Sequence, residues 1–272
     1  MVDQSKQASE SSASRLEMSI PVSEHIEEVS VGGQRIRRRG VYLLPSIVTM
    51  GALFAGFYGV VAAMNGQFES AVLAVIAAGF LDGMDGRVAR LTNTQSAFGA
   101  ELDSLADMVS FGVAPALVVF SWGLGPLGRF GWAFAFIYIA GAALRLARFN
   151  TQIDTADKRF FSGLASPAAA GLIVSMVWLA VDRGLEGTEL PFALSVVAGI
   201  ATASAGVLMV TNIPYHSFKG VNLRGRVPFV IALLVPLVFA VIMVDPPLML
   251  LILGAAYACS GPVQKVWSSA HG

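Results

Sequence analysis

Charge is what this chain has least of. Only 13% of its 272 residues are Asp, Glu, Lys or Arg, where about 25% is ordinary for a soluble domain. Hydrophobic residues make up 55% and the mean hydropathy is +0.68, so a water-soluble fold is excluded. A lone cysteine, Cys259, rules out a disulfide framework and a cysteine-based metal site within one chain. The 18 basic and 18 acidic residues cancel, which leaves no global positive field to suggest nucleic acid as a partner. Residues 1–40 lack any apolar run, including the hydrophobic stretch of a signal peptide. They are rich in Ser, Glu and Gln, end in Arg35-Ile36-Arg37-Arg38-Arg39, and are expected to persist as a disordered polar leader in the cytoplasm. The arginine run reads as a topology signal and is compatible with anionic lipid headgroups.

Beyond residue 40 the composition reverses. Eight apolar blocks, each near the length a bilayer requires, occupy about 43–64, 68–91, 99–122, 130–149, 165–182, 190–210, 227–244 and 247–262. The expected fold is an all-α integral membrane protein of about eight transmembrane helices, with a catalytic domain over 41–262 and a short cytoplasmic tail over 263–272. With the N-terminus cytoplasmic, sixteen Lys and Arg residues fall on that side and only Arg129 and Arg183 on the other. This bias requires an even number of crossings. It puts both termini and the ends of blocks two and three in the cytoplasm, as in a bacterial inner membrane protein.

Against the scarcity of charge stands one concentration of it. Asp82, Asp85, Arg87 and Arg90 close the second block, and Asp103 and Asp107 open the third. Ionisable groups at that depth are costly and mark a functional site by default. Asp82 and Asp85 are three apart, Asp103 and Asp107 four apart, so each pair shares a helix face. A hairpin turn near Asn93 and Thr94 brings the pairs to one depth. Four carboxylates so placed repel unless a cation neutralises them. Oxygen-only ligands favour a hard divalent ion, Mg²⁺, Mn²⁺ or Ca²⁺, and four acidic groups suffice for two ions, a geometry suited to phosphoryl displacement. Gly83, Gly86, Ala89 and Gly99 leave a helix face bare, either for a neighbouring helix or for a large ligand. Small-residue faces also permit a homodimer. Arg90 is placed to pair with phosphate.

The order Asp82-x2-Asp85-Gly86-x2-Ala89-Arg90-x8-Gly99-x3-Asp103-x3-Asp107 fixes eight residues at set spacings and resembles the signature of the CDP-alcohol phosphotransferases. That resemblance implies a membrane enzyme that displaces CMP from a CDP-linked lipid with an alcohol. It implies that Asp82, Asp85 and Asp103 ligate metal, Mg²⁺ or Mn²⁺ with Ca²⁺ a candidate at a second site. Asp107 would add to the metal site and take the proton of the attacking hydroxyl, and Gly86, Ala89 and Arg90 would cradle the CDP moiety. The residues around the signature are similar to the phosphatidylserine synthase branch. They include Phe98 to Pro115, Ala143 to Asn150, Ser166 to Gly171 and Ile213 to Lys219, so that the match covers most of 43–220. CDP-diacylglycerol and L-serine are the substrates this implies, and phosphatidylserine and CMP the products. The chain departs from the usual pattern where Ser46 follows Pro45 and where Ala52 replaces an Asn; Thr49 remains as a nucleotide-binding candidate.

Other polar residues are candidates for the acceptor. Arg145 and Arg148 share a face and can meet a phosphate or a carboxylate. Asn150 can orient an amino group or cap a helix end, and Ser166-Pro167 opens a helix whose amides attract anions. Lys158, Arg159, Lys219, Arg224 and Arg226 form a basic rim that topology alone explains. Glu101 is assigned no role and His216 reads as a surface histidine. A sibling enzyme acting on glycerol 3-phosphate, inositol phosphate or choline is one alternative. The other is a cation transporter, which the lack of an inverted repeat disfavours.

Overall fold

The computed structural model describes residues 28–31, 34–37, 43–92, 97–151, 160–187, 190–216 and 229–271. The chain forms two compact units, Met1–Val41 and Tyr42–Gly272. In the first, β1 (Glu28–Val31) pairs antiparallel with β2 (Gln34–Arg37), with Val29 opposite Ile36. These two segments of the leader are thus strands, whereas disorder was expected of them. Val29, Val31 and Ile36 favour extended backbone, and the intervening pair in the sequence, Gly32-Gly33, is of the kind that two-residue hairpins prefer.

The second unit is helical. Its elements are α1 (Leu43–Met64), α2 (Phe68–Thr92), α3, α4 (Arg129–Thr151), α5 (Ser166–Asp182), α6 (Phe192–Val210), α7 (Phe229–Val244) and α8 (Pro246–His271). α3 is composite. It begins as α-helix Ala97–Asp107, widens to π-helix over Met108–Val113, returns to α over Ala114–Val119, widens again over Phe120–Leu124 and ends in a 3₁₀ turn, Gly125–Leu127. Helices thus occupy all eight apolar blocks. Among the described residues, five stretches are long and apolar enough to cross a membrane: Pro45–Met64, Phe98–Leu127, Arg129–Thr151, Phe192–Val210 and Pro246–Lys265. Ser166–Asp182 is a shorter apolar helix. The acidic residues Glu69, Asp82 and Asp85 set α2 apart from these five. α8 does not stop near residue 262, where the apolar block ends, but continues helical through the expected tail to His271; hydropathy marks where lipid contact ends, not where backbone bonding does.

Small residues fill the interior. Among the described residues half of the buried hydrophobic ones are alanine, while Phe54, Phe57, Phe80, Trp132 and Phe136 lie exposed on the outside. That inversion suits a lipid environment, where backbones gain by close approach and large apolar groups need no shelter. A close crossing joins α4 to α6. A Cβ on Gly141 would sit 2.3 Å from the Gly206 carbonyl oxygen, and one on Gly206 would sit 2.7 Å from that of Ile137.

Two tyrosines repair the backbone where proline interrupts a helix. Pro115 has no N–H to offer the Phe111 carbonyl, and Tyr138 Oη donates to that oxygen at 2.9 Å. Pro262 likewise leaves the Ala258 carbonyl, and Tyr215 Oη donates to it at 2.9 Å. Tyr215 lies on β4 (Pro214–His216), which pairs antiparallel with β3 (Phe160–Ser162). This short ladder ties the connection after α4 to the one after α6, at the same end of the bundle as the aspartates. The turn expected at Asn93 and Thr94 and the basic rim of Lys158, Arg159, Lys219, Arg224 and Arg226 lie outside the described residues.

Candidate active site

α2 and α3 each present two carboxylates. Oxygens of Asp82, Asp85 and Asp103 lie within 4.8 Å of one another. The fourth carboxylate, Asp107, is in hydrogen-bonding contact with Asp82, and Asp103 is in such contact with Asp85. Carboxylates this close either share protons or take a cation between them. Asp85 is buried, as is Thr49 of α1, whose Oγ1 stands 2.8 Å from Asp85 Oδ2 and 3.1 Å from the Pro45 carbonyl oxygen. The hydroxyl has one proton to give, and the charged acceptor at the shorter distance takes it. Thr49 therefore holds a carboxylate of the cluster in place. Three oxygen donors from carboxylates, braced from a third helix, fit a hard divalent cation.

Beside the cluster the helix surface is bare. Among the described residues, a Cβ built on Gly83 or on Gly86 would meet no atom outside its own stretch of helix within 4 Å. No neighbouring helix among them approaches at these glycines, which leaves room for a ligand beside the carboxylates. Ala89 is half-buried. Arg90 is exposed at the end of α2 with its Nε donating to the Gly86 carbonyl at 2.9 Å, which holds the guanidinium along the open face.

The π-helical turn begins at the residue after Asp107. Such turns recur at functional sites because the extra residue re-aims the side chains around it. Here it lets Ser110 donate to the Ala52 carbonyl at 3.1 Å, and a Cβ on Gly56 would fall 2.7 Å from Ser110 Oγ. α1 and α3 are pinned together one turn below the carboxylates.

The four acceptor candidates also gather at this end. Arg145 is half-buried in α4, its Nη1 donating to Ser166 Oγ at 3.1 Å, so Ser166 is an acceptor in the first turn of α5. Arg145 Nε is buried with no hydrogen-bond partner among the described residues. Arg148 Nη1 donates to Asn212 Oδ1 at 2.8 Å, on the exposed side. Asn150 lies inside the last turn of α4 and its Nδ2 donates to Ser104 Oγ at 3.1 Å, fastening α4 to the residue after Asp103. Ser104 and Asn212 carry no signal in the sequence: each is a lone polar residue whose importance lies in a partner more than forty positions away. Glu101 is exposed. The side chain of His216 lies outside the described residues.

Comparison with known proteins agrees with this geometry. Residues 42–252 match the family model described as CDP-alcohol phosphatidyltransferase. A protein of Helicobacter pylori is 41% identical over 200 residues, which cover 73% of this chain and 82% of the relative. One from Mycobacterium tuberculosis is 34% identical over 248 residues, covering 86% and 84%. One from Saccharomyces cerevisiae is 37% identical over 161 residues, covering 54% and 57%. Each of the three is named CDP-diacylglycerol–serine O-phosphatidyltransferase. With its aspartates clustered on two adjacent helices and the match running over most of its length, the chain belongs to the CDP-alcohol phosphatidyltransferase family.

Proposed function

We infer that this protein is a membrane transferase that moves the phosphatidyl group of CDP-diacylglycerol to the hydroxyl of L-serine, giving phosphatidylserine and CMP. The observation that carries the reading is the carboxylate cluster, with oxygens of Asp82, Asp85 and Asp103 within 4.8 Å, set beside an open glycine face on the same helix. The choice of serine is supported by the names of the relatives.

Asp82, Asp85 and Asp103 would hold the divalent metal, Mg²⁺ or Mn²⁺, with Asp107 extending the site toward a second ion such as Ca²⁺. Bound there, such an ion would supply positive charge to offset the pyrophosphate and the phosphorus under attack. Gly83 and Gly86 admit the CDP moiety close to the backbone, and Ala89 and Arg90 flank it. Thr49 contributes by fixing Asp85. Asp107 accepts the proton of serine's hydroxyl as that oxygen bonds to the phosphorus carrying diacylglycerol and the bond from this phosphorus to the departing CMP oxygen breaks. The acyl chains stay in the bilayer throughout. The excess of basic residues on the site's side of the membrane supports a cytoplasmic opening and an inner-membrane location, where serine arrives from solution.

The test is CMP release by the purified protein in detergent with CDP-diacylglycerol and Mg²⁺ or Mn²⁺. L-serine, glycerol 3-phosphate, inositol phosphate and choline are supplied in parallel. CMP that depends on metal and on serine is the expected result. Release with a different acceptor would keep the aspartate chemistry and overturn the acceptor. No CMP with any acceptor from folded protein, together with metal uptake into vesicles, would replace the enzyme with a transporter.

A further inference from the structure

Asp107 stands where its helix changes form. The α-helical part of α3 ends with this residue, and the next turn, Met108–Val113, is π-helical. At the far side of that turn the Ala114 amide reaches back five residues, to the Val109 carbonyl. A π turn departs from the α repeat, so α-helical bonding alone does not fix the direction of a side chain at its edge. A rotation of about 20° at the roughly 5–6 Å radius of a helix with its side chains moves a carboxylate by about 2 Å. Misplacement of about 1 Å can cost a reaction about 10²-fold. Something else must hold Asp107 in place.

Two serines bracket it, Ser104 three residues before and Ser110 three after, and each is tied to a different helix. Asn150, in the last turn of α4, donates from Nδ2 to Ser104 Oγ at 3.1 Å. The Ser104 hydroxyl passes its own proton to the Ala100 carbonyl, 3.1 Å away and one turn back, Asn150 Oδ1 being the more distant acceptor at 3.3 Å. The bond thus runs from α4 through Ser104 into the backbone of α3. Ser110 is buried and donates to the Ala52 carbonyl of α1 at 3.1 Å. A Cβ on Gly56 would fall 2.9 Å from the Ser110 Cα, so glycine is required for that approach. From α4, Tyr138 Oη donates to the Phe111 carbonyl, and a Cβ on Gly112 would meet that of Ala142 at 3.2 Å. The π turn is therefore gripped by α1 and by α4, and the α turn before it by Asn150.

We propose that Ser104, held by Asn150, and Ser110 are positioning residues that fix the direction of Asp107 toward the reacting hydroxyl. This rests on the reading of Asp107 as the base of a serine transferase. It also reassigns Asn150, whose amide braces the base instead of meeting the acceptor's amino group.

The experiment compares wild type with Ser104→Ala, Asn150→Ala, the double variant of these two, Ser104→Thr and Ser110→Ala, each as the full chain in detergent. A single turnover of CMP release, with Mn²⁺, CDP-diacylglycerol and L-serine saturating, reads the chemical step. Steady-state KM values and thermal melts accompany it. Each alanine variant is expected to slow the single turnover by about tenfold or more. The KM for either substrate stays within about threefold, the pattern of an interaction felt only in the transition state. The double variant is no slower than about twofold below the worse single one, because both substitutions remove the same brace. Ser104→Thr keeps the hydroxyl and restores the rate to within about twofold of wild type. Unchanged single turnovers in Ser104→Ala and Asn150→Ala, whatever their melting temperatures, overturn the proposal. So does a KM for L-serine that rises in Asn150→Ala and not in Ser104→Ala, which would make Asn150 an acceptor contact. Multiplying losses in the double variant overturn it as well. Should Ser110→Ala not fold, the Ser104 and Asn150 variants decide. Wild type that releases no serine-dependent CMP overturns the underlying reading instead.

Discussion

Arg183 and Asp245 answer each other at one end of the helical unit; at the other, four carboxylates face one another. The two ends are separated by the length of α5, from Ser166 to Arg183, roughly 25 Å at about 1.5 Å per residue. At the far end Arg183 Nη2 lies 2.8 Å from Asp245 Oδ2, and Trp122 Nε1 donates to the Leu185 carbonyl at 3.0 Å. Opposite charges and complementary dipoles there make the protein's own connections. At the site end, Asp82 meets Asp107 and Asp85 meets Asp103, while Arg145 Nε has no acceptor among the described residues. Polar groups that complement one another explain their own presence. Groups of like charge, held together by helices that hydropathy would keep apolar, are explained only by what they bind.

The strongest way to break that contrast is to remove one carboxylate. Asp107→Asn keeps the shape and loses the base, and turnover is expected to fall by about 10²–10⁴-fold, the usual worth of a positioned general base. Binding of CDP-diacylglycerol, measured by its thermal stabilisation of the protein, is expected to survive in part, because Asp82, Asp85 and Asp103 remain. Equal losses of binding and turnover would make Asp107 a metal ligand and nothing more.

Glycine sharpens the comparison within a single residue type. Among the described residues a Cβ on Gly86 meets nothing beyond its own helix, whereas one on Gly141 meets the Gly206 carbonyl at 2.3 Å. Gly86→Leu is therefore expected to leave the melting temperature near that of wild type and to raise the KM for CDP-diacylglycerol at least about tenfold, as expected of bulk placed where substrate approaches. Gly141→Ala should cost about 1–3 kcal/mol of stability through overpacking and leave that KM unchanged. Thermal melts in detergent and CMP assays on both variants separate the two roles. A destabilised Gly86→Leu with normal KM would mean that this face packs against protein.

The same contrast shows how far the sequence could be read. The apolar blocks placed α1 at its observed limits and α5 within one residue, because a long run of Leu, Val, Ala and Phe has no other way to satisfy its backbone in lipid. The signature spacing brought Asp82, Asp85 and Asp103 together, since positions three and four apart leave a helix on one side. What the sequence withheld were contacts set by distant partners and local geometry. The π-helical turns after Asp107, which pack against α1 and α4, were not among the features read from the sequence. Tyr138 and Tyr215 read as ordinary aromatics until Pro115 and Pro262 are seen beside them. Thr49 stood out as a nucleotide-binding candidate, and its bond to Asp85, 36 positions away, is a contact the sequence does not suggest. Asn150 is bonded to Ser104, a contact that neither an amino-group role nor a helix cap suggests.

The smallest expected effects belong to the far end, where substitutions should alter stability and leave catalysis alone. Asp245 has two tasks. Its Oδ2 pairs with Arg183, and its Oδ1 accepts from the Leu248 amide at 3.2 Å, capping α8 just before Pro246. The ion pair is half in solvent, with the Arg183 side chain 56% exposed, so Arg183→Ala should cost no more than about 1 kcal/mol and less at high salt. Asp245→Asn removes the charge but can still cap, and should match Arg183→Ala. Asp245→Ala loses both and should be worse by about a further 1 kcal/mol, the usual worth of an N-cap. Thermal melts of the three variants and the double mutant separate pair from cap, and CMP release should be the same in all. A change in serine-dependent turnover from any of these substitutions would mean that the two ends communicate, and the division between a structural end and a chemical end would fail.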